Sequence, residues 1–150
     1  MQFRDAQKND LPAIVAMLAD DDLGATRERN EVPLPTQYID AFENIIAQTG
    51  NRLIVAIDTN NIVAGCLQLT ITPGLARLGM SRATIEGVRI RSDLRSTGLG
   101  EKLFQYAIDQ ARNAGCGLVQ LTTDRTRVDA HRFYERLGFE ASHTGMKLIL

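Results

Sequence analysis

The stretch that decides the fold runs Val88-Arg89-Ile90-Arg91-Ser92-Asp93-Leu94-Arg95-Ser96-Thr97-Gly98-Leu99-Gly100-Glu101-Lys102. A strand ends at Ile90, a turn containing two glycines follows, and a long amphipathic helix then extends to about Ala114. The first N–H groups of a helix have no intrahelical partner, and the helix dipole places partial positive charge beside them. Gly98 and Gly100 have no Cβ atom to keep a phosphate away from the backbone. The stretch therefore predicts a cradle for a diphosphate.

Two common phosphate motifs do not fit this turn. The P-loop pattern G-x-x-x-x-G-K-S/T is absent, and the dinucleotide pattern G-x-G-x-x-G fails because position 103 is leucine. A helix start that binds no ligand, in which the glycines only make the backbone more flexible, explains them equally well. The turn by itself leaves both interpretations open.

Outward from this unit, the periodicity of apolar residues predicts strands and helices along the whole chain. The order is β-α-α-β-β-β-α-β-α-β-β, which indicates an α/β (α+β) fold with helices packed on a mixed sheet. Asp10 is expected to cap the first helix, and 20–35 and 73–81 are expected loops. The last two strands are expected at Phe139–Ala141 and Met146–Leu150.

Composition limits the class of protein. With 150 residues, of which 44% are hydrophobic and 23% charged, the chain fits one globular domain spanning residues 1–150. The net charge of −1 argues against a nucleic-acid binder. The N-terminus does not resemble a signal peptide, and no apolar run reaches the ~20 residues of a membrane span. Cys66 and Cys116 read as buried free thiols without metal-ligand spacing, so we expect a cytoplasmic protein without a metal.

Two motifs resemble the GNAT superfamily of N-acetyltransferases. Arg95-Ser96-Thr97-Gly98-Leu99-Gly100 matches the family signature R/Q-x-x-G-x-G/A. About forty residues later, Ala130-His131-Arg132-Phe133-Tyr134-Glu135-Arg136-Leu137-Gly138-Phe139 is similar to the family's A-x-x-F-Y-x-x-x-G-F helix. Since the element order also matches, the resemblance covers nearly the whole chain. It implies a mostly antiparallel sheet of about six or seven strands with about four helices, splayed between the fourth and fifth strands.

The resemblance also implies acetyl-CoA as the acetyl donor and assigns its contacts. The fourth strand would pair with the pantetheine arm through its backbone, around Val88, Arg89 and Ile90. Arg95 would supply positive charge to the pyrophosphate. The turn amides would hold the pyrophosphate itself, at Ser96, Thr97, Gly98, Leu99, Gly100 and Glu101.

Acetyl transfer from a thioester to an amine needs a group that accepts the amine proton and a group that protonates the leaving thiolate. Tyr134 matches the family tyrosine whose hydroxyl approaches the CoA sulfur, although its apolar helix face also fits a core residue. Glu86 is the candidate base, and Gly87 permits a bulge that would re-aim it. A solvent-facing strand residue or an ion-pair partner explains that position equally well. His131 and His143 read as surface residues.

The acceptor would bind between the loops 20–35 and 73–81, and Arg125 and Arg127 fit either a CoA phosphate or an anionic acceptor. The segment from Thr122 to Leu150 resembles the aminoalkylphosphonate acetyltransferase branch, which favours a small amine that carries an acidic group. Three functions stay open: a small-molecule N-acetyltransferase, a protein or peptide N-acetyltransferase, and a non-catalytic acyl-CoA-binding regulatory module. A homodimer is a further expectation, with Met146–Leu150 at the subunit interface.

Overall fold

The computed structural model describes residues 1–150, which form five strands and five helices. None of the helices has the length and the hydropathy that crossing a membrane requires. The order agrees with the sequence prediction from the first strand to the last helix, except that α3 is a single turn in a segment predicted as a loop. The elements are β1 (Gln2–Asp5), α1 (Leu11–Ala19), α2 (Thr36–Ala47), β2 (Asn51–Ile57), β3 (Val63–Thr72), α3 (Ala76–Gly79), β4 (Arg82–Ile90), α4 (Leu99–Asn113), β5 (Leu118–Gln120) and α5 (Val128–Arg136).

The five strands form one sheet in the order β1-β2-β3-β4-β5. Neighbouring strands are antiparallel except for β4 and β5, which are parallel. This confirms the mixed, mostly antiparallel sheet. Only Arg82–Thr84 of β4 pairs with β5. From Ile85 to Ile90, β4 therefore has no neighbouring strand on that side, and this opening is the splay expected between strands four and five.

The prediction of six or seven strands is wrong. Phe139–Ala141 and Met146–Leu150 form no strand, and the sheet ends at β5. Met146, Leu148 and Leu150 alternate as strand residues do, yet each is at least 86% exposed. Alternation gives a segment the pattern of a strand, but pairing requires a neighbouring edge with which to form the ladder.

The sheet is covered on both faces. On one face α4 packs against β2, β3 and β4, with Leu103 and Phe104 fully buried at the centre. On the other face α1 and α2 cover Val55 and Cys66. Each large apolar side chain removed from water in these layers contributes about 1.5–3 kcal/mol, so the two layers hold β4 rigidly between them.

A β-bulge interrupts β4 at Gly87. Cys66 pairs with Arg89 and Gln68 with Glu86, so one residue of β3 faces two residues of β4. Gly87 has φ +61°, which glycine adopts without strain. The bulge that Gly87 was predicted to permit is present. Because of the extra residue, Glu86 and Arg89 both face the side of the sheet that carries α1 and α2.

Candidate functional site

Six consecutive backbone N–H groups at the start of α4 have no acceptor within the protein. They belong to Ser96, Thr97, Gly98, Leu99, Gly100 and Glu101, and the first helix-type bond is donated by Lys102 to the carbonyl of Gly98. No side chain caps this end of the helix. The six residues are those that the sequence assigned to the cradle. Together with the helix dipole they form an anion-binding turn.

The backbone of the turn is left-handed at two residues. Gly98 has φ +84° and Ser96 has φ +63°. A Cβ atom on Gly98 would meet nothing within 4 Å, so the space in front of the turn is open. At Gly100 a Cβ atom would lie 3.5 Å from the ring of Phe133. Gly98 therefore opens the turn towards a ligand, whereas Gly100 allows α5 to pack against the first turn of α4.

Arg95 connects the turn to the loop after α1. Its Nη2 donates to both the backbone carbonyl and the Oδ2 of Asp20, at 2.8 Å each. Its Nε donates to the carbonyl of Ile90 at 3.3 Å, at the end of β4. Half of the Arg95 side chain is exposed. The guanidinium thus holds a carboxylate beside the cradle and remains accessible.

The open side of β4 leads into this turn. Val88, Arg89, Ile90 and Arg95 line a cavity of about 510 Å³ together with residues of the loop after α1. Val88 and Ile90 pack on the α4 layer, while the strand edge beyond Thr84 faces no other strand. An extended ligand that carries amide groups can pair with such an edge as an additional strand would.

Tyr134 lies in an aromatic cluster on α5. Its ring is about 5.5 Å from those of Phe104 and Phe133 and 6.1 Å from that of Phe139. The hydroxyl forms no hydrogen bond within the protein, and it is not a buried unpaired atom. Burial raises the pKa of Tyr134, against the opposing positive charges of Arg127 and Arg89. The hydroxyl is therefore protonated at neutral pH, fixed in position, and accessible.

Glu86 lies on β4 just before the bulge, and its side chain is exposed on the face of α1 and α2. It forms no ion pair, so its carboxylate is available to a ligand. His131 is half-buried and its Nε2 lies 3.1 Å from the carbonyl of Asp124, which gives it a structural partner. His143 lies on the exposed tail beside Ser142. Arg125 is exposed and makes no ion pair in the structure.

The two cysteines are unpaired, as predicted. Cys66 is fully buried and burial raises its pKa to about 12, while Cys116 is half-buried. A thiol with so high a pKa is a poor nucleophile. No three His, Cys, Asp or Glu side chains lie where they would hold a metal ion.

The structure also brings together a group that the sequence did not predict. Asp21, Arg89 and Arg127 form ion pairs beside the cavity, although Arg89 and Arg127 are 68 and 106 positions from Asp21. Arg89 was expected to contact the donor through its backbone only. No local pattern links residues so far apart; the available signals were a charged residue within an apolar strand and an arginine just before the last helix.

Comparison with known proteins identifies the family. A model described as the acetyltransferase (GNAT) family matches residues 16–139. The chain is 52% identical over 112 residues to an uncharacterised N-acetyltransferase of Bacillus subtilis, YhdJ, covering 74% of this chain and 76% of the relative. It is 31% identical to an L-methionine sulfoximine/L-methionine sulfone acetyltransferase of Pseudomonas paraeruginosa, covering 93% of this chain and 80% of that one.

Two further matches bear on the alternatives. A crystal structure described as a transcriptional regulator from Bacillus halodurans superposes with a TM-score of 0.96 at 50% identity and covers 99% of both chains. An aminoalkylphosphonate N-acetyltransferase of Salmonella typhimurium is 39% identical over 59 residues, covering 39% of this chain and 38% of that protein. The resemblance to that branch is confirmed over this part of the chain.

Proposed function

The chain belongs to the GNAT family of acetyltransferases, and from that premise we propose that it moves the acetyl group of acetyl-CoA to the amine of a small molecule. The amine attacks the thioester directly. The observation that carries this proposal is the run of six unpaired N–H groups from Ser96 to Glu101. We further propose that residues 1–150 act as one domain, in the cytoplasm, where Cys66 and Cys116 would remain reduced thiols.

In this proposal the turn and β4 bind the donor. The six amides hold the pyrophosphate, and Arg95 adds positive charge after exchanging Asp20 for a phosphate oxygen. The backbone of β4 around Val88, Arg89 and Ile90 pairs with the pantetheine arm along the open edge of the strand. The open space in front of Gly98 supports this assignment because a diphosphate needs close approach to the backbone.

Two side chains carry the protons. Tyr134 donates its hydroxyl proton to the departing thiolate, and its burial keeps that proton in place until the thiolate forms. Glu86 accepts the amine proton, directly or through water, from the face of the sheet towards which Arg89 also points. Direct attack needs no covalent enzyme intermediate, which agrees with the high pKa of Cys66.

The relatives favour a small acceptor. One is named for L-methionine sulfoximine and L-methionine sulfone and another for aminoalkylphosphonates, and all of these are compact amines. We propose an acceptor of that size for this chain. The cavity of about 510 Å³ beside β4 supports it, because a volume in this range is typical of small-molecule sites.

Thiol release from acetyl-CoA tests the function, with L-methionine sulfone and 2-aminoethylphosphonate among the amines supplied. We expect turnover with at least one amine, and we expect Tyr134→Phe to lower kcat on the order of a hundredfold while CoA affinity stays nearly unchanged. Tyr106→Phe is the matched control, because Tyr106 stacks on Phe3. Unchanged turnover in Tyr134→Phe would remove the tyrosine from this role.

Gly98→Val tests the cradle. A branched side chain at φ +84° is strained and stands where the diphosphate would lie, so we expect CoA binding to be lost in calorimetry. Gly115→Val is the control, since Gly115 has φ +77° and equally open surroundings at the other end of α4. Equal CoA affinity in the two variants would contradict the assignment.

A regulatory acyl-CoA-binding module is the second candidate, favoured by the description of the Bacillus halodurans structure as a transcriptional regulator. It predicts tight binding of acetyl-CoA without turnover of any amine. A protein or peptide N-acetyltransferase is the third, and it predicts turnover with a peptide and none with free amines. The thiol-release assay separates all three.

We also propose a homodimer in which the tail Met146–Leu150 packs against a second copy. Leu148 and Ile149 are 86% and 87% exposed, and an apolar segment so exposed is typical of an interface. Light scattering after chromatography should give twice the chain mass, and Leu148→Arg should give a monomer. Leu75→Arg, on an exposed loop, should leave the mass unchanged; a monomeric wild type would overturn the proposal.

A further inference from the structure

Two arginines share one carboxylate beside the cavity. Arg127 Nη2 donates to Asp21 Oδ2 at 2.6 Å, and Arg89 Nη2 donates to the same oxygen at 3.3 Å. The backbone N–H of Gly24 donates to that oxygen as well, at 3.2 Å. Three donors therefore converge on a single oxygen of Asp21, and the group of three side chains carries a net charge of +1.

Arg89 is not satisfied by this arrangement. Its Nη1 donates to the carbonyl of Val88 at 2.8 Å, but its Nε is buried and has no partner. The Nε and Nη2 groups form one edge of the guanidinium, which matches two oxygens of a carboxylate, phosphonate or phosphate. Asp21 offers that edge one oxygen only, at the longer distance. A buried donor without a partner is costly, so the site is incomplete without a second anionic oxygen.

The cluster lies where an acceptor would sit. Asp21, Arg89 and Arg127 line the same cavity as Val88 and Ile90, which the proposed function assigns to the donor. The positive charges of both arginines oppose the rise that burial causes in the pKa of Tyr134. Arg95, which pairs with Asp20 beside the cradle, lines the same cavity. The cavity lining thus carries a neutral ion pair beside the cradle and a second group, of net charge +1, around Asp21.

We propose that Arg89 and Arg127 bind an anionic group of the acceptor, and that Asp21 occupies this position until the acceptor displaces it. The proposal rests on the function proposed above and defines its substrate class as an amine that carries a carboxylate, phosphonate or phosphate a few bonds from the nitrogen. The anion and the amine then bind at two fixed points, Arg89 and Arg127 for the first and Glu86 for the second. Holding both ends orients the amine towards the thioester.

Matched acceptors test the proposal. L-α-amino acids are compared with their carboxamides, and 2-aminoethylphosphonate with propylamine, in the thiol-release assay. We expect kcat/KM to be at least about tenfold higher for the anionic member of a pair, since charge-assisted hydrogen bonds are the strong ones. Equal kcat/KM within the pairs would overturn the proposal.

Variants separate the acceptor's anion from the phosphates of CoA. Arg127→Gln should raise KM for the anionic acceptor about tenfold or more and leave KM for acetyl-CoA within about twofold. Arg89→Lys keeps the charge but loses the paired edge, and should show the same pattern more weakly. Arg112→Gln, on an exposed pair with Asp109, is the control. A raised KM for acetyl-CoA with the acid preference intact would assign the arginines to CoA and overturn the proposal.

Binding keeps the two proposals distinguishable. If no amine is turned over although acetyl-CoA binds, the proposed N-acetyltransferase fails, and the arginine site is judged by thermal shift alone. With CoA present, 2-aminoethylphosphonate should raise the Tm of the wild type more than that of Arg127→Gln, while propylamine should raise neither. Equal shifts in the two proteins would overturn the anion site whatever the fate of the enzyme assay.

Discussion

Two arginine–aspartate clusters lie on the face of the sheet that α1 and α2 cover, and they differ in how completely their hydrogen-bonding groups are paired. In the first, Arg4 donates to both oxygens of Asp10, at 2.7 and 3.0 Å, and Asp10 also accepts the N–H of Gln7. In the second, Asp21 faces two arginines, and the Nε of Arg89 is buried without a partner. The first cluster has equal charges of both signs, whereas the second has an excess of one positive charge.

This difference distinguishes an ion pair that stabilises the fold from a cluster that can bind a ligand. The pair of Arg4 and Asp10 joins β1 to the start of α1, and Asp10 is buried. The cluster of Asp21, Arg89 and Arg127 lines an open cavity and holds charge that the protein does not balance. A balanced pair stabilises the fold when both partners are present, and an unbalanced one is completed by a ligand. Four variants and conditions test this distinction.

Asp10→Asn should have the largest effect. It leaves Arg4, of which 20% is exposed, without its charge partner, so we expect unfolding in urea to lose about 2 kcal/mol. Arg4→Gln should lose less free energy of unfolding, because the Asp10 carboxylate that it leaves without a charge partner still accepts the N–H of Gln7. If Asp10→Asn lost less free energy of unfolding than Glu43→Gln, which breaks an exposed ion pair, the cluster would not stabilise the fold.

Asp21→Asn should come next, with a loss of about 1 kcal/mol, because water and ions in the cavity can solvate the two arginines. Inorganic phosphate should then raise the Tm of Asp21→Asn more than that of the wild type. It should not restore Asp10→Asn, because position 10 is buried and phosphate does not reach it. Equal phosphate responses in the two variants would erase the distinction between the clusters.

Acid should reveal the first cluster in the wild type. Burial alone would raise the pKa of Asp10, but hydrogen bonds from Arg4 and Gln7 lower it overall. A lowered pKa contributes stability above the ordinary aspartate value, and that contribution is lost as the pH falls through the folded pKa. One carboxyl contributes a slope of at most about 1.4 kcal/mol per pH unit. Below about pH 4, the free energy of unfolding of Asp10→Asn, measured in urea, should therefore change less steeply with pH than that of the wild type.

Glu43→Gln should have the smallest effect. Its partner Lys8 lies 3.3 Å away, and both side chains are 60% exposed. Exposed pairs of this kind contribute between about 0 and 1 kcal/mol, and we expect less than 0.5 kcal/mol here. A loss as large as that of Asp10→Asn would mean that burial does not distinguish these pairs.

Local patterns predicted what depends on neighbours in the sequence. The turn from Arg95 to Gly100 follows from glycines between a strand and a helix, and the bulge follows from Gly87 within β4. Asp10 begins α1 as predicted, but its carboxylate binds Arg4 and Gln7 instead of capping the helix through its side chain. The contact with Arg4 in the folded chain, rather than helix propensity, decides where the Asp10 carboxylate points.

The sequence did not predict which residues far apart in the chain contact one another. Met146–Leu150 has the alternation of a strand, but the sheet of this chain offers it no edge to join. Asp21 and Arg127 are 106 positions apart and meet because the residues after α1 and the residue before α5 line the same cavity. The roles assigned to Tyr134, Glu86 and the cradle stay predictions, whereas the structure places Val88, Arg89, Ile90 and Arg95 around one cavity beside the turn.

The bulge at Gly87 acts as a spacer between two charges. In a regular strand, residues three apart point to opposite faces, so Glu86 and Arg89 would be divided between the two layers. The single extra residue turns both towards the helices α1 and α2. A chain lacking Gly87 would force one of them into the layer of Leu103 and Phe104, where no partner charge exists. One inserted glycine thus places an acidic and a basic side chain on the same face of the sheet. We expect its removal to impair folding before it impairs catalysis.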